Sequence, residues 1–173
     1  MRLGTKSLLF GVHQFFLHPI MVGISYYRLY GFPVHPCLWF AFIVHDWGYW
    51  GCKDMDGPSG REHPQLGYKI MKFLFGHDWG QWTRCHSREY CKNHNLVPST
   101  LCIADKMAIT VMPWWLYCAF ACLTGEMAEY YANGAGRFKA SNYREWHEGI
   151  CQYMHEWCAQ HKDTALDHPG SFI

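Results

Sequence analysis

The run Cys37-Leu38-Trp39-Phe40-Ala41-Phe42-Ile43-Val44 constrains this chain more than any other segment, because it ends on His45 and Asp46. An apolar run of this kind demands burial. A buried segment that finishes in an imidazole and a carboxylate needs something to offset their charge. A divalent cation does so, and Mn²⁺, Fe²⁺, Co²⁺ and Zn²⁺ all accept a mixed nitrogen and oxygen ligand set. Two residues do not complete such a site, so the fold must bring further ligands to this helix end.

Candidates stand on both sides of the pair. Upstream are His13 and His18; downstream are His63, His86 and Asp105. Positions 18, 22, 25/26 and 29 share one face of a helix that Gly31 stops. His13 competes with His18 as first ligand but lies about 1.4 helical turns earlier and points elsewhere, so His18 is preferred. Asp105 sits inside the apolar segment Leu101–Ile109, headed by Pro98-Ser99. A carboxylate buried there needs a cation, and Lys106, about 100° further round a helix, reads as a poor partner. Taken singly, His63 is a helix-start residue before Pro64 and His86 a half-buried polar residue.

A second tetrapeptide, His77-Asp78-Trp79-Gly80, repeats His45-Asp46-Trp47-Gly48. It follows Phe75-Gly76, which reads as a helix end and a turn, so Asp78 is expected to cap the next helix. His35, His94, His147, His155, His161 and His168 carry no motif and read as surface or packing residues.

The order His, His-Asp, His, His, Asp resembles the HD-domain phosphohydrolase superfamily, from about His18 to Lys106. The resemblance implies an all-α, HD-domain-like helical bundle with a metal site in its core. It implies that His18, His45, Asp46 and Asp105 hold one divalent ion (Mn, Fe, Co, Zn or Ni). His63 and His86 would then bind a second ion, or act as general acid or phosphate donors, with Asp46, His63 and His86 catalytic. Arg88 and Lys106 are candidates to neutralise substrate phosphate, each weighed against a solvated surface charge. The expected activity is metal-dependent hydrolysis of a small phosphorylated substrate, a nucleotide first. The alternative is a non-catalytic, metal-stabilised nucleotide-binding or regulatory module. The Gly-Tyr-Pro motif of the cyclic-di-GMP branch is absent; Asn95-Leu96-Val97-Pro98 stands in that region.

At 173 residues the chain reads as one domain, residues 1–173, with a metal-binding core over about 13–112 and a C-terminal helical extension over about 113–173. A net charge of +1 without a basic tract gives no basis for nucleic-acid binding, sequence-specific or otherwise. Aromatic residues at 18% suit a packed helical core, a pocket for a planar ring, and a homodimer through exposed aromatic helices. None of the nine cysteines forms Cys-x-x-Cys, so reduced thiols and a cytoplasmic location are expected. His13, Gln14 and His18 interrupt the first apolar stretch, which argues against a signal peptide. Met107–Leu123 is broken by Pro113 and falls short of the roughly 20 residues of a membrane span, so no transmembrane span is expected. Pro113–Tyr117 remains a candidate for resting on a membrane surface or a partner.

The pattern predicts helices over 5–17, 19–30, 36–46, 63–75, 79–93, 99–111, 114–132 and 142–161, with no alternating strand pattern. Lys53–Arg61 reads as a loop rimming the metal site, and Asn133-Gly134-Ala135-Gly136 as a break that isolates the last helix.

Overall fold

A computed structural model describes residues 1–171, which contain ten α-helices and no β-strand. In chain order these are α1 (Leu3–Phe10), α2 (Leu17–Tyr30), α3 (Pro36–Val44), α4 (Pro64–Phe75), α5 (His77–Arg84), α6 (Arg88–His94), α7 (Thr100–Ala108), α8 (Trp114–Thr124), α9 (Glu126–Phe138) and α10 (Tyr143–His161). Short 3₁₀ turns at Trp47–Tyr49 and Gly60–Glu62 frame the loop between α3 and α4.

Local chemistry accounts for most helix ends. The His35 side chain accepts the Cys37 N–H and Pro36 supplies the pre-set first turn of α3. Ser87 and Ser99 cap α6 and α7 through the N–H groups of Tyr90 and Cys102. Asn142 accepts the Glu145 N–H while Glu145 accepts from the Ser141 N–H and the Asn142 amide, so α10 starts with reciprocal capping. Gly31 and Gly76 end α2 and α4 at φ of +88° and +95°, a region that costs other residues strain.

Four expected boundaries change; the helix expected over 5–17 is α1, which ends at Phe10. The helix expected over 79–93 is two, α5 and α6, and His86 lies in the break between them. The helix expected over 114–132 divides at Gly125, where φ is +92°. The break expected at Asn133–Gly136 is absent, and α9 runs through it to Phe138. Two glycines weaken a helix by only about 1 kcal/mol each, which packing on α10 offsets. Gly134 faces Trp146 so closely that a Cβ there would lie 2.5 Å from the indole nitrogen.

The main core joins α2, α3, α4, α5 and α7 through Val22, Leu38, Phe42, Met71, Trp82 and Leu101, all at most 1% exposed. A second cluster, with Cys118, Ala121, Met127 and Trp146, joins α8, α9 and α10. Helix α10 also packs on α7, so the last third of the chain lies against the main core rather than apart from it.

Candidate metal centre

Five separate segments deliver the six sequence-chosen side chains to one place. His18 stands in the first turn of α2, buried with Val22, Ser25 and Tyr26 on the inward face. His45 continues α3 in helical geometry, and Asp46 follows with φ −95° and ψ 0°, which turns the chain out of the helix. His63 immediately precedes α4, His86 sits between α5 and α6, and Asp105 is on α7. All six are buried. Gly48 makes this convergence possible, since a Cβ there would lie 1.9 Å from the His63 carbonyl oxygen.

The ligating atoms form two groups. In the first, His18 Nε2 lies 3.2 Å from Asp46 Oδ2, 3.0 Å from Asp105 Oδ1 and 3.3 Å from His45 Nε2. His45 Nε2 is 3.3 Å from Asp46 Oδ2 and 3.7 Å from Asp105 Oδ1. In the second, His63 Nε2 and His86 Nε2 face each other at 2.9 Å and stand 3.6 Å and 3.3 Å from Asp46 Oδ1. Ligand atoms around a cation with bonds of about 2.1 Å stand about 3.0 Å apart on octahedral edges and about 3.4 Å apart on tetrahedral ones. The observed separations are of that size. Asp46 belongs to both groups, with one carboxylate oxygen turned to each.

The backbone orients three of the imidazoles. His45, His63 and His86 each donate Nδ1–H to the carbonyl three residues earlier, those of Phe42, Gly60 and Thr83, at 2.9, 2.6 and 2.7 Å. In the neutral ring this places the Nε2 lone pair inward, the arrangement a metal ligand requires. His63 and His86 then direct two acceptors at each other, which a cation between them would relieve.

The charges follow the same division. Burial opposes ionisation of Asp46 and Asp105. His45 with His18 outweighs it at Asp46, and Lys106 with His18 at Asp105, so both carboxyls titrate well below their usual range. Burial likewise opposes charge on His18 and His45, yet the two carboxylates raise both, His45 to about 10. For His63 burial prevails, with repulsion from His86, and its pKa falls to about 3. His86 is also lowered by burial. His63 and His86 are therefore neutral acceptors at pH 7, whereas His45 holds a proton that a cation would displace and His18 is shifted toward its charged form.

Lys106 corrects an expectation. Its Nζ bonds Asp105 Oδ2 at 2.6 Å although the two residues diverge around α7. The long flexible stem folds the ammonium back, so the direction of the Cβ does not limit it. Asp105 thus has a cationic partner at Oδ2 while Oδ1 faces the histidines.

His13 lies beside the cluster rather than in it. Its ring centroid is 5.4 Å from that of His18, but its Nδ1 is taken up by Ser7 Oγ and Glu126 Oε1 at 2.8 and 3.1 Å. It belongs to the segment between α1 and α2, not to the helix expected over 5–17. The repeated tetrapeptide is elsewhere. His77 and Asp78 are exposed, Asp78 makes no side-chain cap, and Gly80 serves close packing of α5 on α4.

Two neighbours escaped the sequence reading. Glu126 is fully buried and accepts hydrogen bonds from Ser7, the Val12 N–H, Thr124 and Tyr130 as well as meeting His13. Its signal was a lone acid between Gly125 and Met127 after a long apolar stretch. Tyr49 stacks on His63 with centroids 4.1 Å apart and planes 11° apart; nothing in its sequence position distinguished it.

A cavity of about 620 Å³ opens beside the cluster, bordered by His18, His63, Asp105 and Lys106. Its far wall comes from α8–α10, with Tyr117, Tyr130, Arg137 and Trp146. Arg88 also lines it, its guanidinium stacked on Tyr153 and Trp157 at 5.5 and 4.9 Å. The loop over 53–61 forms part of the rim, held to α9 where Glu129 accepts the N–H groups of Met55 and Asp56. No helix among the described residues is long and apolar enough to cross a membrane. Comparison with protein-family models, curated proteins and solved structures gives no significant match.

Proposed function

We propose that this chain is a metal-dependent phosphohydrolase of the HD type, acting on a small phosphoester, with a nucleotide as first choice. One observation carries the reading: Asp46 turns one carboxylate oxygen to His18 and His45 and the other to His63 and His86. A carboxylate so shared suits two cations, which two-metal hydrolases hold about 3.5–4 Å apart. His18, His45, Asp46 and Asp105 would hold one ion, and Asp46, His63 and His86 the other.

Bound there, divalent ions supply Lewis acidity and lower the pKa of water toward neutrality. The chain's own residues do the rest. His63 and His86 have their Nδ1–H groups committed to carbonyls and low proton affinity at Nε2, which favours their use as ligands over a general-acid role. Lys106, half-buried at the cavity edge, places a positive charge next to the cluster where phosphate oxygens would lie. Arg88 is fixed by aromatic stacking and leaves guanidinium N–H groups for a phosphate or sugar oxygen. Tyr117 and Tyr130 offer aromatic surface to a planar base, and the cavity volume falls within the range of about 300–1,000 Å³ usual for small-molecule sites.

The test is phosphate release by the purified protein loaded with Mn²⁺ or Co²⁺, across monoesters, diesters and nucleotides. Hydrolysis that falls with Asp105→Asn and with His86→Ala is the expected result. A fully metallated protein that binds a nucleotide tightly and hydrolyses none of these would establish the binding module instead.

A further inference from the structure

Helix α3 contains no polar residue, and yet Trp39 and Ile43, four positions apart, are 40% and 41% exposed. Its neighbour α2 turns Ile20, Ile24 and Tyr27 outward, at 54%, 37% and 60% exposure, opposite the face that carries His18 and Val22. Phe32 joins the two helices into one surface, with ring centroids 6.5 Å from Tyr27 and 6.4 Å from Trp39. On the other side α3 packs against α4, where Phe73 is 88% exposed. An apolar surface shared by three adjacent helices needs a cover.

Charge identifies that cover. Helices α2, α3 and α4 together contain no Asp or Glu, and no acidic residue occurs before Asp46. They carry Arg28, Lys69 and Lys72, all exposed. None of the three forms an ion pair with a described residue. A second copy placed face to face would set these cations against their own images with no carboxylate on the three helices to meet them. An apolar, aromatic-rich surface edged by unpaired bases matches the acyl and headgroup boundary of an anionic bilayer. We infer that the outward face of α2, α3 and α4 docks this protein on the surface of an anionic lipid membrane. Lacking a helix that can span the bilayer among the described residues, this face would lie in the interface plane. The inference stands apart from the phosphohydrolase reading, since it uses none of the metal-ligating side chains.

Vesicle co-sedimentation of the full chain tests it, with phosphatidylglycerol–phosphatidylcholine vesicles against phosphatidylcholine alone. Binding to the anionic vesicles only, reduced by high salt, is expected. Neutralising the three bases together (Arg28→Gln, Lys69→Gln, Lys72→Gln) should lower partitioning on the order of 100-fold, from about fivefold per base near an anionic surface. Ile20→Ser with Phe73→Ser should lower it about tenfold or more. Arg144→Gln, on α10, should leave it unchanged. Circular dichroism checks that each variant stays helical. Equal, weak binding of the unaltered chain to both vesicle types overturns the inference. So does a concentration-dependent dimer that Ile20→Ser with Phe73→Ser dissociates while the chain ignores anionic vesicles.

Discussion

Raising the pH should strengthen binding of the first metal ion and leave the second nearly unaffected. In the metal-free chain His45 holds its Nε2 proton, and His18 is shifted toward holding one, between the Asp46 and Asp105 carboxylates. Burial alone would expel those protons; the carboxylates retain them, to about pH 10 for His45. A cation must displace them, because it needs the same nitrogens. Each proton released makes affinity rise about tenfold per pH unit while pH stays below the folded pKa, so two protons give up to about 100-fold per unit. Asp46 and Asp105 release none near neutrality, since both are already ionised. His63, at about 3, and His86, lowered from its usual value, are both neutral above about pH 7, so affinity at the second position should be nearly flat there. Titration calorimetry with Zn²⁺ or Mn²⁺, in buffers of different ionisation enthalpy, counts the protons directly. The expected count is between one and two for the first ion and near zero for the second. A first ion that binds without releasing protons, at an affinity independent of pH, would refute the reasoning. So would a chain that takes up no stoichiometric ion at any pH.

Three further outcomes are expected. Asp46→Ala should empty both positions, because it removes the one carboxylate common to the two groups, whereas Asp78→Ala should retain full metal content; elemental analysis of both proteins decides. His18→Ala should lose more metal than His13→Ala by the same measurement, since of these two only His18 reaches Asp46 and Asp105. Glu126→Ala should destabilise the fold by about 3–5 kcal/mol, because it strips the partner from a buried, multiply hydrogen-bonded cluster. Urea denaturation measures this, and a loss under about 1 kcal/mol would mean the cluster relaxes or hydrates.

The chain's own order of residues determines the all-α class and the placing of an ionisable pair at the end of an apolar helix. Both are local matters. A run such as Cys37–Val44 has few ways to be buried, and caps such as Ser99 and Asn142 act within three residues of themselves. The residue types around the centre were legible for the same reason: His18 shares the inward face of its helix, and Asp105 is an acid inside an apolar segment. Helix continuity was less legible. The run of α9 through Gly134 and Gly136 depends on packing against α10 that overrides weak local preference.

Only the tertiary structure decided how the side chains share their work. The two oxygens of Asp46 are chemically equivalent in the sequence, and they acquire different partners because α2, α4 and the α5–α6 turn approach from different sides. Lys106 reaches Asp105 because its stem can bend back, which residue spacing along an ideal helix does not reveal. Glu126 meets His13 across 113 positions of sequence, a distance over which no periodicity carries information. The residues after Pro113 carried no motif, yet α8–α10 become the far wall of the cavity. Long-range convergence is a property of packed surfaces, set by how whole helices fit together, and it has no signature in the spacing of the residues that converge.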